Sequence, residues 1–560
     1  MSDSAEPAAP GSPIRALADE LVQTLLAADP LHGSALGLRE YDALMPDPSA
    51  AAEDALVDRL RDIARRAAQL TADDSRERAT LGAVSAWCKH RELDLHNRAD
   101  EYTATAMPFS GPAMLPAVAA RTVLLDAGAA EDYLARLIAS PRWLDGVTDR
   151  LRDGRAKGTL PIAELIDQAV GWADRMLASP VPAEFLAPQP PAGWTGEAAW
   201  REQVSGVVRD EIMPALGRWR ELLVELRPQA RPSEHAGLHT LPDGERMYQR
   251  AVAVHTTLPL SAEELHTIGL HTIAALEERA LELGASLGLR DLPAILAAVR
   301  ASGEQADARA ALAAAQATVR RAEEAAPRLM PGPLPEPCAV EPMPDSVARS
   351  GMAPHYTRPR EGRAGTFWFN TLRATAGTGW DLEAVAFHEA VPGHHSQLAR
   401  LQRLADLPLL QQLSVTVHSE GWGLYAERLA GEFGLYSDVR AELGAVFCTM
   451  LRAVRLVVDT GLHALGWSRE RAITFMVEHT AQPEGFLVNE IDRYLTMPGQ
   501  ALAYLTGQRE ILRLREDARA RLGAAFDLPG FHAAVLDNGS LPMPVLATVV
   551  ADWVETAARA

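Results

Sequence analysis

Apolar side chains recur every three to four positions along most of this chain, and that period predicts helices with one buried face. Leu56, Leu60, Ile63 and Ala67 form one such stripe, and Leu265, Ile268, Leu270, Ile273 and Leu276 approximate another. Ser261, followed by Glu263 and Glu264, marks the start of the second helix as a side-chain cap with acids in the first turn. Residues Glu304–Ala326 are mostly Ala, Arg, Glu and Gln, a helix by propensity with little to specify its packing. No internal repeat stands out, which disfavours a solenoid. The pattern breaks at Met330–Pro337, a run of M-P-G-P-L-P-E-P in which each proline removes a donor and obstructs the preceding turn. Beyond it, Gly365–Thr371 (G-T-F-W-F-N-T) is short, aromatic and β-favouring, and predicts a strand. Helical patterning returns from Asp381. The expected fold is mainly α, a two-lobed helical body with a small sheet. Residues 1–12 would be a flexible tail, 13–329 an N-terminal helical lobe and 330–560 a C-terminal lobe.

Composition narrows the class of partner. The 560 residues are 48% hydrophobic and 23% charged, which suits a folded globular protein and excludes collagen, coiled-coil fibre and extended disorder. With 54 Lys plus Arg against 74 Asp plus Glu, the net charge of −20 repels phosphate backbones, so no nucleic-acid partner is expected. Cys88, Cys338 and Cys448 are too few and too scattered for a disulfide framework or a cysteine-rich metal site. The N-terminus has an acid, Asp3, where a secretion signal carries basic residues, and no apolar segment follows. The most apolar run, Ala445–Val458, is interrupted by Arg452 and Arg455, too short to span a bilayer. A cytoplasmic location without membrane contact is expected.

The chemistry concentrates in Ala386–Gln397, which reads A-F-H-E-A-V-P-G-H-H-S-Q. Two neutral imidazoles and a nearby carboxylate are the raw materials of zinc hydrolysis. The imidazoles hold the ion, and a carboxylate one residue along reaches a water without ligating. The familiar His-Glu-x-x-His places its histidines four apart on one helical face. Here the spacing from His388 is six to His394 or seven to His395. A regular helix would turn about 600° over six residues and separate the side chains by about 9 Å along its axis. Pro392 and Gly393 resolve the conflict by bulging or kinking the helix. His394 is the favoured second ligand, with His395 the alternative. A catalytic site needs a third protein ligand. Glu420 and Glu427, seven apart on nearly one helical face, offer one ligand and one partner for an imidazole N–H. His418 competes with Glu420 for the ligand role.

The segments H-E-A-V-P-G-H-H (388–395), S-E-G-W (419–422), Arg493-Tyr494 and P-G-Q-A (498–501) resemble a bacterial family catalogued as a domain of unknown function. That family looks like a divergent branch of the gluzincin zinc metallopeptidases. The resemblance implies a zincin-like catalytic C-terminal lobe, with His388, His394 and Glu420 as Zn2+ ligands and Glu389 as general base. It also implies that the Phe367–Thr371 strand is an edge pairing with an extended substrate, against the plainer reading of a core strand.

Further residues fit supporting roles. His463 could donate to the oxyanion formed when a carbonyl is attacked, or it could be a buried histidine bonded to Asp459. Arg493 offers a guanidinium for a substrate carboxylate, or a structural ion pair, while Tyr494 and Tyr504 offer phenols for the oxyanion. The expected activity is zinc-dependent hydrolysis of amide bonds in short peptides, with a peptide or small amide as partner. The alternatives are a zinc amidohydrolase acting on non-peptide amides and a non-catalytic helical binding protein with a vestigial metal site.

Overall fold

The stripe Leu56, Leu60, Ile63 and Ala67 lies in a helix spanning Ala50–Ala67, and all four side chains are buried. The structure is a computed structural model describing residues 11–302, 307–333, 336–349, 352–359, 364–374, 379–404 and 406–559. Helices account for 73% of it and strands for 2%, so the mainly α fold is as expected. The helix Ala262–Ser286 starts at Ser261, whose hydroxyl accepts from the Glu264 N–H at 3.1 Å while the Glu264 carboxylate accepts from the Ser261 N–H at 2.8 Å. This reciprocal cap satisfies two otherwise orphaned donors. Leu265 and Ile273 are buried, but Leu270 is exposed, because five residues from Leu265 carry it off the buried face. The alanine-rich segment forms a helix from Ala308 to Leu329 whose packed face is mostly small, with Ala311, Ala315, Ala322, Ala325 and Ala326 all buried. Its expected first residues, 304–306, lie outside the described residues, as do residues 1–10 of the expected tail. Ser12 is already a cap, accepting from Arg15 at the start of helix Pro13–Ala28.

The proline-rich run does end a helix at Leu329, and apolar clusters draw on residues from both sides of it. Buried residues from Leu17 to Leu95 share one apolar cluster with Ala322–Met330 and with residues from Phe387 to Val554. A second cluster joins residues between Tyr102 and Val299 to others between Trp380 and Leu505. The apolar faces of the early helices are completed by later ones, as where Ala262–Ser286 packs along Val439–His463. No helix among the described residues is long and apolar enough to cross a membrane. The three cysteines are free and buried.

The sheet has three strands, β1 (Ala339–Pro342), β2 (His355–Thr357) and β3 (Thr366–Phe369), in the order β1-β3-β2. β1 is parallel to β3, and β2 antiparallel to it, with Tyr356 opposite Phe367. The predicted strand is therefore β3, in the centre, with Phe367 and Phe369 buried. Both of its edges are paired, so it has no free edge for a substrate and the core-strand reading holds. β2 covers that side and touches the site described next.

Candidate metal centre

The helix Leu382–Glu389 does not bulge or kink at Pro392. It stops, and a second helix, His394–Leu401, starts after a four-residue turn. Pro392 has no N–H to continue the first helix. Gly393 is required by proximity, since a Cβ there would lie 1.9 Å from the His388 carbonyl oxygen. The Trp422 indole N–H donates to the carbonyls of Pro392 at 3.0 Å and Gly393 at 3.2 Å, so the turn is pinned from the facing helix Thr416–Glu432. This reversal places the imidazoles of His388 and His394 with ring centroids 4.8 Å apart and nearly perpendicular.

Glu420 completes the cluster. Its Oε2 lies 3.3 Å from His388 Nε2 and 3.8 Å from His394 Nε2. One donor atom from each of the three residues falls within 4.8 Å of the others, and no other group of three or more His, Cys, Asp or Glu among the described residues does so. Glu427, seven residues on, takes the partner role. Its Oε1 accepts from His388 Nδ1 at 2.8 Å, which fixes the ring's orientation and turns Nε2 towards the cluster. Gly423 lies between these two glutamates on the same helical face. A Cβ there would come within 2.5 Å of the His388 ring.

The electrostatics also fit a cation. Burial works against a charged His388, but the hydrogen bonds to Glu420 and Glu427 and the nearby carboxylates outweigh it and push the imidazole up to about 10. Burial likewise acts to raise Glu420, yet hydrogen bonds to His388 and His394 hold it well below the usual carboxylate range. Such a cluster is stabilised by positive charge at its centre. Two imidazoles and one carboxylate match the three-ligand donor set of a catalytic zinc.

Glu389 stands beside the cluster without joining it. Its Oε2 accepts from the Tyr356 N–H of β2 at 2.9 Å. Burial raises its pKa first, against the fields of His394 and His388. It is half-buried, and no hydrogen bond engages its Oε1 among the described residues. Glu420 keeps 25% of its side chain exposed, so the centre can be reached from outside.

A family model described as bacterial protein of unknown function (DUF885) matches residues 30–550. The chain belongs to this family. A solved structure described as a "putative lipoprotein" from Colwellia psychrerythraea is similar at 26% identity and a TM-score of 0.88, over 97% of this chain and 99% of that one. A second, a "putative lipoprotein of unknown function" from Shewanella oneidensis, has 16% identity and a TM-score of 0.74 over 96% and 99%, a likeness of fold alone. No curated protein matches the sequence.

The remaining candidates in this DUF885 chain divide sharply. The second histidine of the cluster is His394. His395 is buried, with Nε2 bonded to the Glu336 carbonyl at 2.8 Å and Nδ1 to the Tyr356 hydroxyl at 3.0 Å. His418 is buried and accepts from the Leu541 N–H at 2.8 Å, outside the cluster. His463 is corrected from an oxyanion donor to a structural residue. Its Nδ1 accepts from the Leu238 N–H and its Nε2 donates to the Tyr494 carbonyl, each at 3.1 Å, so no ring nitrogen is left for a substrate. The Asp459 bond considered for it is also absent. Asp459 instead accepts from the Tyr248 hydroxyl at 2.6 Å and from the Gly499 N–H.

Arg493 and Tyr494 are likewise corrected. Arg493 forks onto both oxygens of Glu490 at 2.9 Å and also donates to Gln500. The Tyr494 hydroxyl donates to Glu490 at 2.7 Å and accepts from Arg455 Nε at 2.9 Å. These side chains satisfy one another in a buried network. Tyr504 differs. Gly421 and Gly507 let their helices touch, a Cβ on Gly421 lying 2.6 Å from Gly507, and this crossing brings Tyr504 towards Glu420. Burial and then the Glu420 carboxylate raise its pKa, so the phenol keeps its proton, and its ring lies 4.7 Å from the Arg455 guanidinium. Sequence reasoning missed Gly423 and Tyr356, and marked Trp422 only as part of the S-E-G-W motif without a role. Two glycines two apart inside a helix, Gly421 and Gly423, were a usable signal because each costs helix stability. Tyr356 acts through its backbone and carried none.

Proposed function

We infer that this chain is a zinc-dependent hydrolase of amide bonds in short peptides, a metallopeptidase resembling divergent gluzincins. The observation that carries the reading is the convergence of His388, His394 and Glu420 donor atoms within 4.8 Å, with the Glu389 carboxylate alongside. When bound, zinc supplies Lewis acidity and an acidified water. The side chains supply the rest. Glu427 fixes the orientation of His388. Glu389, held through Oε2 by Tyr356, takes the proton of the attacking water at Oε1 and passes it to the leaving nitrogen. Tyr504 donates its hydroxyl to the developing oxyanion.

A cavity of about 280 Å³ is lined by Leu25, Trp87, His90, His255 and Thr416, among others, and by none of the cluster's side chains; the short substrate therefore rests on the resemblance to peptidases and not on this cavity. The second reading is an amidohydrolase of non-peptide amides, which the same two-imidazole, one-carboxylate donor set would serve equally. Cytoplasmic residence belongs to the proposal. The lipoprotein description of the Colwellia structure favours a membrane-tethered one instead, and fractionation of native cells separates the two.

The decisive experiment measures zinc content and peptide hydrolysis in the wild type and in Glu389→Gln. The expected result is one zinc per chain in both, with turnover lost in the variant. Full turnover in Glu389→Gln would overturn the reading. Blocked and unblocked peptides assayed beside simple amides, by release of new amines, separate the two substrate classes.

A further inference from the structure

Arg358 follows β2 by one residue and is only partly exposed, yet no carboxylate among the described residues pairs with it. Its one hydrogen bond runs from Nη2 to the Gln412 carbonyl at 3.2 Å. Burial lowers its pKa, opposed only by Tyr356. Other enclosed arginines of the same region have acids: Arg455 has Glu490 at 2.7 Å, Arg515 has Glu432 at 2.9 Å, and Arg452 has Glu427 at 3.5 Å. A guanidinium drawn partly out of water without a counter-charge is costly. Here its remaining N–H groups are not sealed off as buried orphans, so a partner can reach them.

Its position identifies that partner. Two residues before it, the Tyr356 N–H holds Glu389 at 2.9 Å, and two residues of extended chain span about 7 Å. On the other side, Gln412 closes a short helix, Leu409–Gln412, four residues before the start of the helix that carries Glu420. The guanidinium therefore bridges the strand that latches Glu389 and the segment leading to Glu420.

We propose that Arg358 binds a substrate carboxylate, the free C-terminus of a short peptide one or two residues beyond the scissile amide. This rests on the hydrolase reading and names its substrate class. The planar fork of an arginine fits a carboxylate through two parallel N–H bonds, and in a chain of net charge −20 an anionic substrate needs such a local cation.

The test compares peptides that differ only in a C-terminal acid or amide, and a second pair with internal Glu or Gln, in the full-length protein. The expected kcat/KM ratio favours the terminal acid by about 10- to 100-fold, mainly through KM. It falls towards one in Arg358→Gln and is partly kept in Arg358→Lys. A preference for internal Glu over Gln with no acid-to-amide difference would overturn the C-terminal assignment. In parallel, calorimetry measures binding of an N-acetyl dipeptide acid and its amide to the wild type and to Arg358→Gln. If nothing is hydrolysed but the acid still binds in an Arg358-dependent way, the hydrolase reading fails and the carboxylate site stands. If neither assay distinguishes acid from amide, or Arg358→Gln keeps the full preference, the site is refuted.

Discussion

Gly423 packs directly against the imidazole of His388, so close that a Cβ would sit 2.5 Å from Cε1 and 2.6 Å from Nε2. The glycine therefore sets where the nitrogen facing Glu420 lies, although it has no side chain of its own. Gly423→Ala should push the ring off the cluster and lower zinc stoichiometry, while the alanine's better helix propensity leaves the surrounding helix formed. Metal analysis with circular dichroism checks this, and a full zinc complement in the variant would show that the ring has room to spare.

Glu427 acts one step behind, through His388 Nδ1. Glu427→Gln keeps the shape but removes the carboxylate that orients and polarises the imidazole. Zinc affinity should drop by about 10- to 100-fold, read by competition with a coloured chelator. Glu420→Gln removes a proposed ligand and should lose more. Equal affinities for the two variants would contradict the roles assigned here.

How the chain reverses between His388 and His394 decides how much of this was legible. Residue types at fixed spacing pointed to His388 with a second histidine and a carboxylate from Glu420 or Glu427, the family resemblance favoured His394 and Glu420, and proline and glycine disclosed that the helix could not stay regular. The choice between His394 and His395 depends on how tightly the turn closes, which Gly393 and the Trp422 indole set through contacts distant in sequence. His463, Arg493 and Tyr494 were misread because a self-satisfied buried network uses the same residue types as a catalytic one. The prolines of Met330–Pro337 show where a helix stops, not which faces later meet in the shared apolar clusters. Tyr356 was invisible because the register of a three-residue strand is tertiary information.

Trp422→Phe tests the clamp on that turn. The ring volume is mostly retained, but the carbonyls of Pro392 and Gly393 lose their shared donor. Leaving buried acceptors unpaired costs about 1–3 kcal/mol, so the urea midpoint should fall and zinc should bind more weakly. Unchanged stability and unchanged zinc affinity would mean that the turn holds itself.

Tyr504 and Tyr494 provide a contrast within one pair of phenols. Tyr504→Phe should lower kcat by about 100-fold with little change in KM, the mark of a group acting only in the transition state. Tyr494→Phe strips a hydrogen bond from Glu490 and Arg455, and should lower stability more than kcat. A reversed pattern, with kcat falling in Tyr494→Phe alone, would exchange their roles.

Asp459 makes stability depend on pH away from the His388, His394 and Glu420 cluster. Burial pushes its carboxyl up to about 7, although the Tyr248 hydroxyl, the Gly499 N–H and the charge of Arg493 all pull it down. Unfolded, it titrates near 3.9, so between about pH 4 and pH 7 the folded chain holds a proton that the unfolded chain has lost. Stability from this group is fully present below pH 4, declines as pH rises through 7 and is level above. Asp459→Asn cannot ionise, and groups common to both proteins cancel in the difference between them. The wild type should therefore lose stability relative to Asp459→Asn from pH 5 to pH 8, followed by urea midpoints at each pH. A difference that stays constant over that range would mean that Asp459 is charged in the folded protein throughout, its burial offset by Tyr248, Gly499 and Arg493.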